Sequence, residues 1–282
     1  ERELMTLLQL KRQLIEKGGN LEDPMLEARV LLSHLGFSPL KQITDKDEAV
    51  SMDIVSKALS MMEKRASGYP MAYITGVKEF WGMDFKVNEN VLIPRPDTET
   101  LVETAIYLYR EKIKKGRILD LCTGSGAIAT SLSKELDTDV TLSDISPLAA
   151  EVAKENYERL TGRKADIRIG DLFESLEGEK FSLIVTNPPY LTQKWCSEVE
   201  NEVKKEPYIA LFGFDEDGLG IIRRILKNAG KFLEKEGYIA FECDYRQCAN
   251  LSLLLETEGY SGVNIKKDLS GKDRVVYGKY NG

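Results

Sequence analysis

Asn187-Pro188-Pro189-Tyr190 carries the most specific chemistry in this 282-residue chain. Two consecutive prolines fix the backbone and remove two N–H donors. Carbonyl oxygens near Asn187 and Pro188 are then free to accept, and an asparagine side chain brings one more acceptor and two donors. Together these groups can hold an –NH₂ by its two hydrogens while Tyr190 packs against the flat group carrying it. That arrangement suits a planar amide or an aromatic amine. A Pro-Pro pair also ends strands for structural reasons alone, but the surrounding motifs favour the binding role. Asp120-Leu121-Cys122-Thr123-Gly124-Ser125-Gly126 ends one strand and opens a helix, and its glycines let the backbone turn tightly and approach a ligand closely. It does not complete G-x-G-x-x-G, because position 129 is Ala. Ser143-Asp144-Ile145-Ser146 places a carboxylate at the tip of the next strand, where it can take both hydroxyls of a ribose. Ser146 before Pro147 is the better helix cap, which leaves Asp144 for a ligand. Gly170-Asp171-Leu172-Phe173 follows a third strand. It offers either an acid and two apolar residues for adenine or a loop that merely caps the sheet.

These groups come together only if an alternating pattern folds as a sheet covered on both faces. Strands are predicted at Arg117–Leu121, Val140–Ser143, Ile167–Ile169, Ser182–Thr186, Tyr238–Glu242, Val263–Lys266 and Val275–Lys279. Helices are predicted at Ala127–Leu136, Pro147–Leu160, Leu219–Glu234 and Gln247–Glu258, with another from about Asp97 to Lys114. Short apolar strands alternating with helices imply an α/β fold with a mostly parallel sheet. The last two strands are separated only by Leu269-Ser270-Gly271-Lys272, so they must form an antiparallel hairpin. Residues 1–67 read as a small helical bundle, with Leu4, Leu7, Leu8, Leu14 and Ile15 on one stripe and Met61 and Met62 as core. Residues 68–93 read as a hairpin linker rich in Gly and aromatics, and residues 94–282 as the sheet domain.

Composition narrows the chemistry. There is one histidine, His34, read as structural or surface, so a histidine base has no candidate in the sheet domain. The net charge is −7, and neither the first 90 residues nor the rest is basic overall, which disfavours a stable nucleic-acid partner. Cys122, Cys196, Cys243 and Cys248 show no C-x-x-C spacing, arguing against a metal site or disulfide framework and for a cytoplasmic setting. No apolar run is long enough to cross a bilayer, and Glu1-Arg2-Glu3-Leu4 lacks the basic start of a secretory signal.

With these motifs in hand, the chain resembles the class I S-adenosylmethionine-dependent methyltransferases that methylate amino groups, which carry Asn-Pro-Pro-Tyr. Tyr73-Ile74-Thr75-Gly76, Phe80-Trp81-Gly82, Val91 through Glu99, Glu206-Pro207, Ala210-Leu211, Asp217-Gly218-Leu219 and Lys272-Asp273-Arg274-Val275-Val276 narrow the resemblance to the HemK/PrmC family of release factor glutamine N5-methyltransferases. That resemblance implies a Rossmann-like fold with a seven-stranded sheet and an N-terminal docking domain. It also implies S-adenosyl-L-methionine as cofactor, with S-adenosyl-L-homocysteine as product. The implied cofactor residues are Asp120, Cys122, Thr123, Gly124, Ser125, Gly126, Asp144, Ile145, Asp171, Leu172, Phe173 and Asn187. Asn187, Pro188 and Tyr190 are implied as catalytic, and Pro189 and Arg95 as further substrate contacts, although Arg95 is equally suited to an ion pair. The implied partner is the Gly-Gly-Gln loop of a peptide chain release factor. Two departures stand out, Cys243-Asp244 after Glu242 where Ile-Gly is common, and Phe214 where glycine is common. The competing readings are a nucleic-acid adenine or guanine amino-methyltransferase, a non-catalytic scaffold and, more weakly, a dinucleotide dehydrogenase.

Overall fold

In a computed structural model, which describes residues 5–282, the chain divides into two units. Glu1-Arg2-Glu3-Leu4, including the leucine assigned to the first helical stripe, lies outside the described residues. The first unit holds the residues up to Gly76 together with Glu200–Lys205. Its helices are α1 (Leu7–Lys17), α2 (Pro24–His34), α3 (Lys41–Thr44), α4 (Met52–Ala66) and α5 (Met71–Thr75). Local rules start them. Thr6 and Gln9 exchange the two hydrogen bonds of a capping box, and Asp23 caps α2 ahead of Pro24. Leu10, Leu14, Leu31, Leu32 and Met62 form the core, and His34 is exposed at the end of α2. This unit extends beyond the boundary expected at residue 67, because Met71 and Ile74 of α5 pack on the same core. Arg65, largely buried, is paired within the unit with Glu27 at 2.7 Å and Glu202 at 2.6 Å.

The second unit begins with the hairpin β1 (Val77–Phe80) and β2 (Met83–Lys86), then α6 (Glu99–Tyr107). Next come β3 (Ile118–Leu121), α7 (Ala127–Leu136), β4 (Val140–Asp144), α8 (Pro147–Thr161), β5 (Asp166–Ile169), β6 (Phe181–Thr186) and α9 (Gln193–Glu198). The chain closes with α10 (Gly220–Ala229), β7 (Leu233–Glu242), α11 (Cys248–Thr257), β8 (Tyr260–Lys267) and β9 (Asp273–Tyr280). The seven-stranded sheet has the order β5-β4-β3-β6-β7-β9-β8, with β9 antiparallel to both neighbours and all other pairs parallel. β3 and β6 are buried along their whole length, as strands covered on both faces must be. The strand order reverses between them, since β4 and β5 lie on one side of β3 and β6 on the other. In open α/β sheets that reversal is where ligands bind.

Two predicted helices differ in the structure. The helix expected to run to Glu234 stops at Ala229, because the chain must reach β7 at Leu233. The helix expected from Asp97 is a 3₁₀ turn (Pro96–Thr98), then α6, then a π turn over Leu108–Ile113. One buried side chain ties the hairpin to the sheet. Asn156 of α8 accepts from the Lys86 N–H at 2.8 Å and donates to the Lys86 and Ser125 carbonyls, each at 2.9 Å. Asn156→Ala strands three backbone groups, so urea denaturation should show a loss of about 2–4 kcal/mol. A loss under 0.5 kcal/mol would mean water replaces the amide at no cost.

Candidate active site

Leu121 pairs with Thr186, so the segments leaving β3 and β6 emerge side by side. From Leu121 the chain enters a loop in which Cys122, Gly124 and Gly126 all have positive φ. A Cβ at Gly126 would stand 3.1 Å from the Ala153 backbone on α8, whereas one at Gly124 would enter open space. Only glycine lets α8 approach this closely at position 126. Asp120 braces the loop from beneath: its Oδ2 accepts from the Thr123 hydroxyl at 2.6 Å and from the Ala129 N–H at 3.0 Å. At the tip of β4, Asp144 accepts from the Gly124 N–H through Oδ2 at 2.8 Å and from the Ser146 N–H through Oδ1 at 2.9 Å. After β5, Asp171 is held by Arg224 of α10 at 2.7 Å. After β6, the Asn187 Nδ2 donates to the Thr98 hydroxyl at 3.4 Å, and the Tyr190 hydroxyl donates to Glu242 at 3.4 Å.

These segments enclose a cavity of about 290 Å³. Cys122, Thr123, Gly124, Ser125, Asp144, Ile145, Asp171, Leu172, Asn187, Pro189 and Arg95, all singled out from the sequence, line it. Asp120, Gly126, Phe173, Pro188 and Tyr190 do not. Asp120 lies under the loop and Gly126 against α8. Phe173 stacks on Phe232 in the core, with ring centroids 4.5 Å apart. Three non-glycine residues with positive φ, Cys122, Leu172 and Phe214, sit on the cavity wall. Such backbone costs on the order of 1–3 kcal/mol per residue and collects at functional sites.

Sequence comparison agrees with this geometry. A PrmC N-terminal domain model matches residues 6–76, and a methyltransferase small domain model matches residues 98–205. The release factor glutamine methyltransferase of Vibrio cholerae is 40% identical over 262 residues, covering 92% of this chain and 91% of that protein. The protein of the same name from Clostridium acetobutylicum is 38% identical, covering 95% of each. The chain belongs to the release factor glutamine methyltransferase family. In fold, it is similar to a methyltransferase from Pyrococcus furiosus, at TM-score 0.54 and 17% identity over 72% of this chain and 91% of that one.

Several residues of the site carry roles that sequence reading did not assign. Glu206, buried, pairs with Arg95 and accepts from the Ile93 N–H at 2.9 Å, so Arg95 makes an ion pair that stiffens the Pro94-Arg95-Pro96 turn. Gln247 donates to the Tyr190 carbonyl at 2.7 Å, and Gly218 packs so closely that a Cβ there would stand 2.1 Å from the same oxygen. Their place in the segments Glu206-Pro207 and Asp217-Gly218-Leu219, which carry the family resemblance, was the available signal for Glu206 and Gly218. Gln247 and Arg224 had none. Cys243 and Cys248 meet as free thiols with sulfurs 3.3 Å apart, a contact their spacing in sequence does not signal.

Burial dominates the electrostatics. It pushes Asp120 up to about 7 against the opposing hydrogen bonds of Thr123 and Ala129. It raises Asp144, despite backbone donors, and drives the Cys122 thiol up, which removes Cys122 as a nucleophile. Glu242 is pushed up to about 7 by burial and by Asp97, against Thr98 and Arg274. Burial, and then the charge of Glu242, holds the Tyr190 phenol far above its ordinary range. Between the ordinary carboxylate range and about 7, the folded chain therefore keeps a proton on Asp120 that the unfolded chain releases. Stability falls as pH rises through that window, by about 1.4 kcal/mol per pH unit for each such group. Groups shifted the other way, such as Asp268 at about 2, act only at lower pH. Asp120→Asn should flatten the slope of unfolding free energy between pH 5 and 7 by about one proton's worth. An unaltered slope in that variant would contradict the assignment.

Proposed function

We propose that this protein transfers a methyl group from S-adenosyl-L-methionine to the side-chain amide nitrogen of the glutamine in the Gly-Gly-Gln loop of peptide chain release factors. The observation that carries the proposal is the placement of Asn187-Pro188-Pro189-Tyr190 beside the glycine loop and Asp144, at the reversal of strand order. Family membership supports the same reading.

The residues present fit the cofactor. The Asp144 oxygens are each anchored by a backbone N–H and retain lone pairs for the two hydroxyls of a ribose. Gly124 leaves open space where any other residue would place a side chain. Asp171, fixed by Arg224, and Leu172 supply an acceptor and an apolar surface for adenine. When bound, S-adenosylmethionine supplies an already activated sulfonium methyl, leaving the acceptor as the protein's problem.

An amide nitrogen shares its lone pair with its carbonyl and is a poor nucleophile. Asn187 Oδ1 and the Pro188 carbonyl each accept one N–H of the glutamine amide, which orients the nitrogen and favours its partial pyramidalisation. Positioning of this kind contributes several kcal/mol, up to about 7–11 in ideal cases. No strong base is needed beforehand, because the nitrogen becomes acidic as it gains charge. The acidic balance of the chain is compatible with a neutral, glycine-rich protein loop as the acceptor and with a cytoplasmic role beside translation. No helix among the described residues is long and apolar enough to cross a membrane.

Incubation with methyl-labelled S-adenosylmethionine should label an intact release factor, and neither a factor with its Gly-Gly-Gln glutamine changed to alanine nor duplex DNA. Label on DNA, or equal label on both factors, would replace the glutamine reading. Asn187→Ala should lower kcat on the order of 10²-fold or more with cofactor affinity nearly unchanged. An unimpaired kcat would remove the clamp.

A further inference from the structure

We propose that Cys243 and Cys248 form a modification site for hydroperoxides, which close the pair to a disulfide and thereby slacken the hold of Gln247 on the Tyr190 carbonyl. Cys243 follows β7 and Cys248 opens α11. Both are free thiols fully buried in the core, with sulfurs 3.3 Å apart. A disulfide needs about 2.05 Å, so the sulfurs have to approach by only about 1.3 Å. The methyl transfer proposed above uses neither thiol.

The surroundings decide which sulfur moves. The Cys243 N–H donates to the Arg274 carbonyl at 3.0 Å, and the strand it follows lies between β6 and β9. Cys248 stands in the first turn of α11, and such turns carry unpartnered N–H groups and open more readily than an inner strand. Closing the bond therefore draws Cys248 toward Cys243. Gln247, next to it, has little slack. Its Nε2 donates to the Tyr190 and Asp217 carbonyls, each at 2.7 Å, and a Cβ at Gly218 would stand 2.7 Å from the same nitrogen. Its Oε1 accepts from the Asp244 N–H at 3.2 Å, and its own N–H donates to the Asp244 carbonyl at 2.8 Å. Moving Cys248 pulls on this turn and takes the donor from the Tyr190 carbonyl. The other end of that peptide unit, the Leu191 N–H, donates to the Leu211 carbonyl at 2.8 Å. The segment that follows Asn187-Pro188-Pro189 is thereby loosened.

The chemistry balances with a hydroperoxide as oxidant. The Cys243 S–H donates to Cys248, which holds Cys243 as a thiol and, against burial, favours the Cys248 thiolate. The N-terminal end of a helix favours that thiolate as well. The Cys248 thiolate attacks one peroxide oxygen, the O–O bond breaks, and hydroxide leaves, giving a sulfenic acid. The Cys243 sulfur then attacks the Cys248 sulfur, the S–O bond breaks, and the hydroxyl departs with the Cys243 proton as water. In sum the two thiols give up two electrons and two protons, and hydrogen peroxide is reduced to two waters. Arg246, Gln247 and Asn250, around the turn that opens α11, line an open groove. Hydrogen peroxide is little larger than water, so opening of that turn admits it. A disulfide formed in a reducing compartment is transient and serves as a sensor.

The test treats the full chain with hydrogen peroxide, unfolds it and blocks the remaining thiols. Trypsin cuts after Arg246 and so separates the two cysteines. Mass spectrometry should find their peptides joined and two hydrogens lighter than their sum, and dithiothreitol should part them. Recovery of both as blocked thiols, at a dose that oxidises the partly exposed Cys196, would overturn the proposal. In hydrogen exchange, the Leu191 amide of the disulfide form should exchange at least about tenfold faster than in the reduced form. An equal rate in the two forms would break the link to Gln247 and overturn it as well. Oxidation should lower turnover by at least about tenfold, reversibly with dithiothreitol, whereas C243A and C248A, treated alike, should each stay within about twofold of their untreated rates. A loss in either variant as large as in the wild type would place the damage elsewhere and count against the pair. If the reduced wild type leaves release factor unlabelled, the glutamine reading fails. The peptide and exchange measurements need no acceptor and still decide the role of the two cysteines.

Discussion

The Thr186 hydroxyl donates to the Leu121 carbonyl at 2.7 Å, at the last rung of the ladder joining β3 to β6. Both residues are buried, so the bond is sheltered from water and holds the two strand ends level. Everything chemical in the second unit follows from that alignment. One strand end releases the glycine loop and the other releases Asn187-Pro188-Pro189-Tyr190, so the two segments arise side by side. A shift of one residue in this register would point every side chain of β6 to the opposite face. Two strands buried on both faces and nearly all apolar make such a shift costly.

Three of the seven non-glycine residues with positive φ among the described residues gather around this junction. Cys122, Leu172 and Phe214 adopt left-handed backbone on the cavity wall, and each comes from a different loop. Each is held by packing or hydrogen bonding behind it. Asp120 and Thr123 brace the first, the Phe173–Phe232 stack anchors the second, and the third leans on Phe212 at 4.9 Å. At Phe214 the chain accepts strain that glycine would avoid and places a half-exposed aromatic on the cavity wall.

The site is also layered by burial. The cavity lining mixes apolar side chains such as Leu92, Ile128 and Leu172 with Asp144, Asn187 and the backbone of the glycine loop. Behind them lie ionisable groups sealed from water, Asp120 under the loop and Glu242 at the end of β7. Sealing raises the pKa values of both carboxylates, so neither is a passive counter-charge. With no histidine after His34, buried carboxylates are what this unit has for responding to pH near neutrality.

The alternation of strands and helices, the glycine loop, Asp144, the Asn-Pro-Pro-Tyr segment and the closing antiparallel hairpin were all legible in the sequence. Each depends on local rules: apolar periodicity, φ preferences, capping and a connection too short for a helix. Only the tertiary structure decided which of those residues face the cavity. Phe173 sits in a motif that reads as a contact, yet it stacks on Phe232 in the core, because burial depends on what packs against a loop and not on its own residues. Arg224, Gln247, the Tyr190–Glu242 contact and the Asn187–Thr98 contact join segments far apart in sequence and lie in no pattern with a fixed spacing. Their partners are set by how α10, β7 and the Pro96–Thr98 turn are brought against the end of β6. Proximity across long separations is a property of packing, which no local spacing encodes.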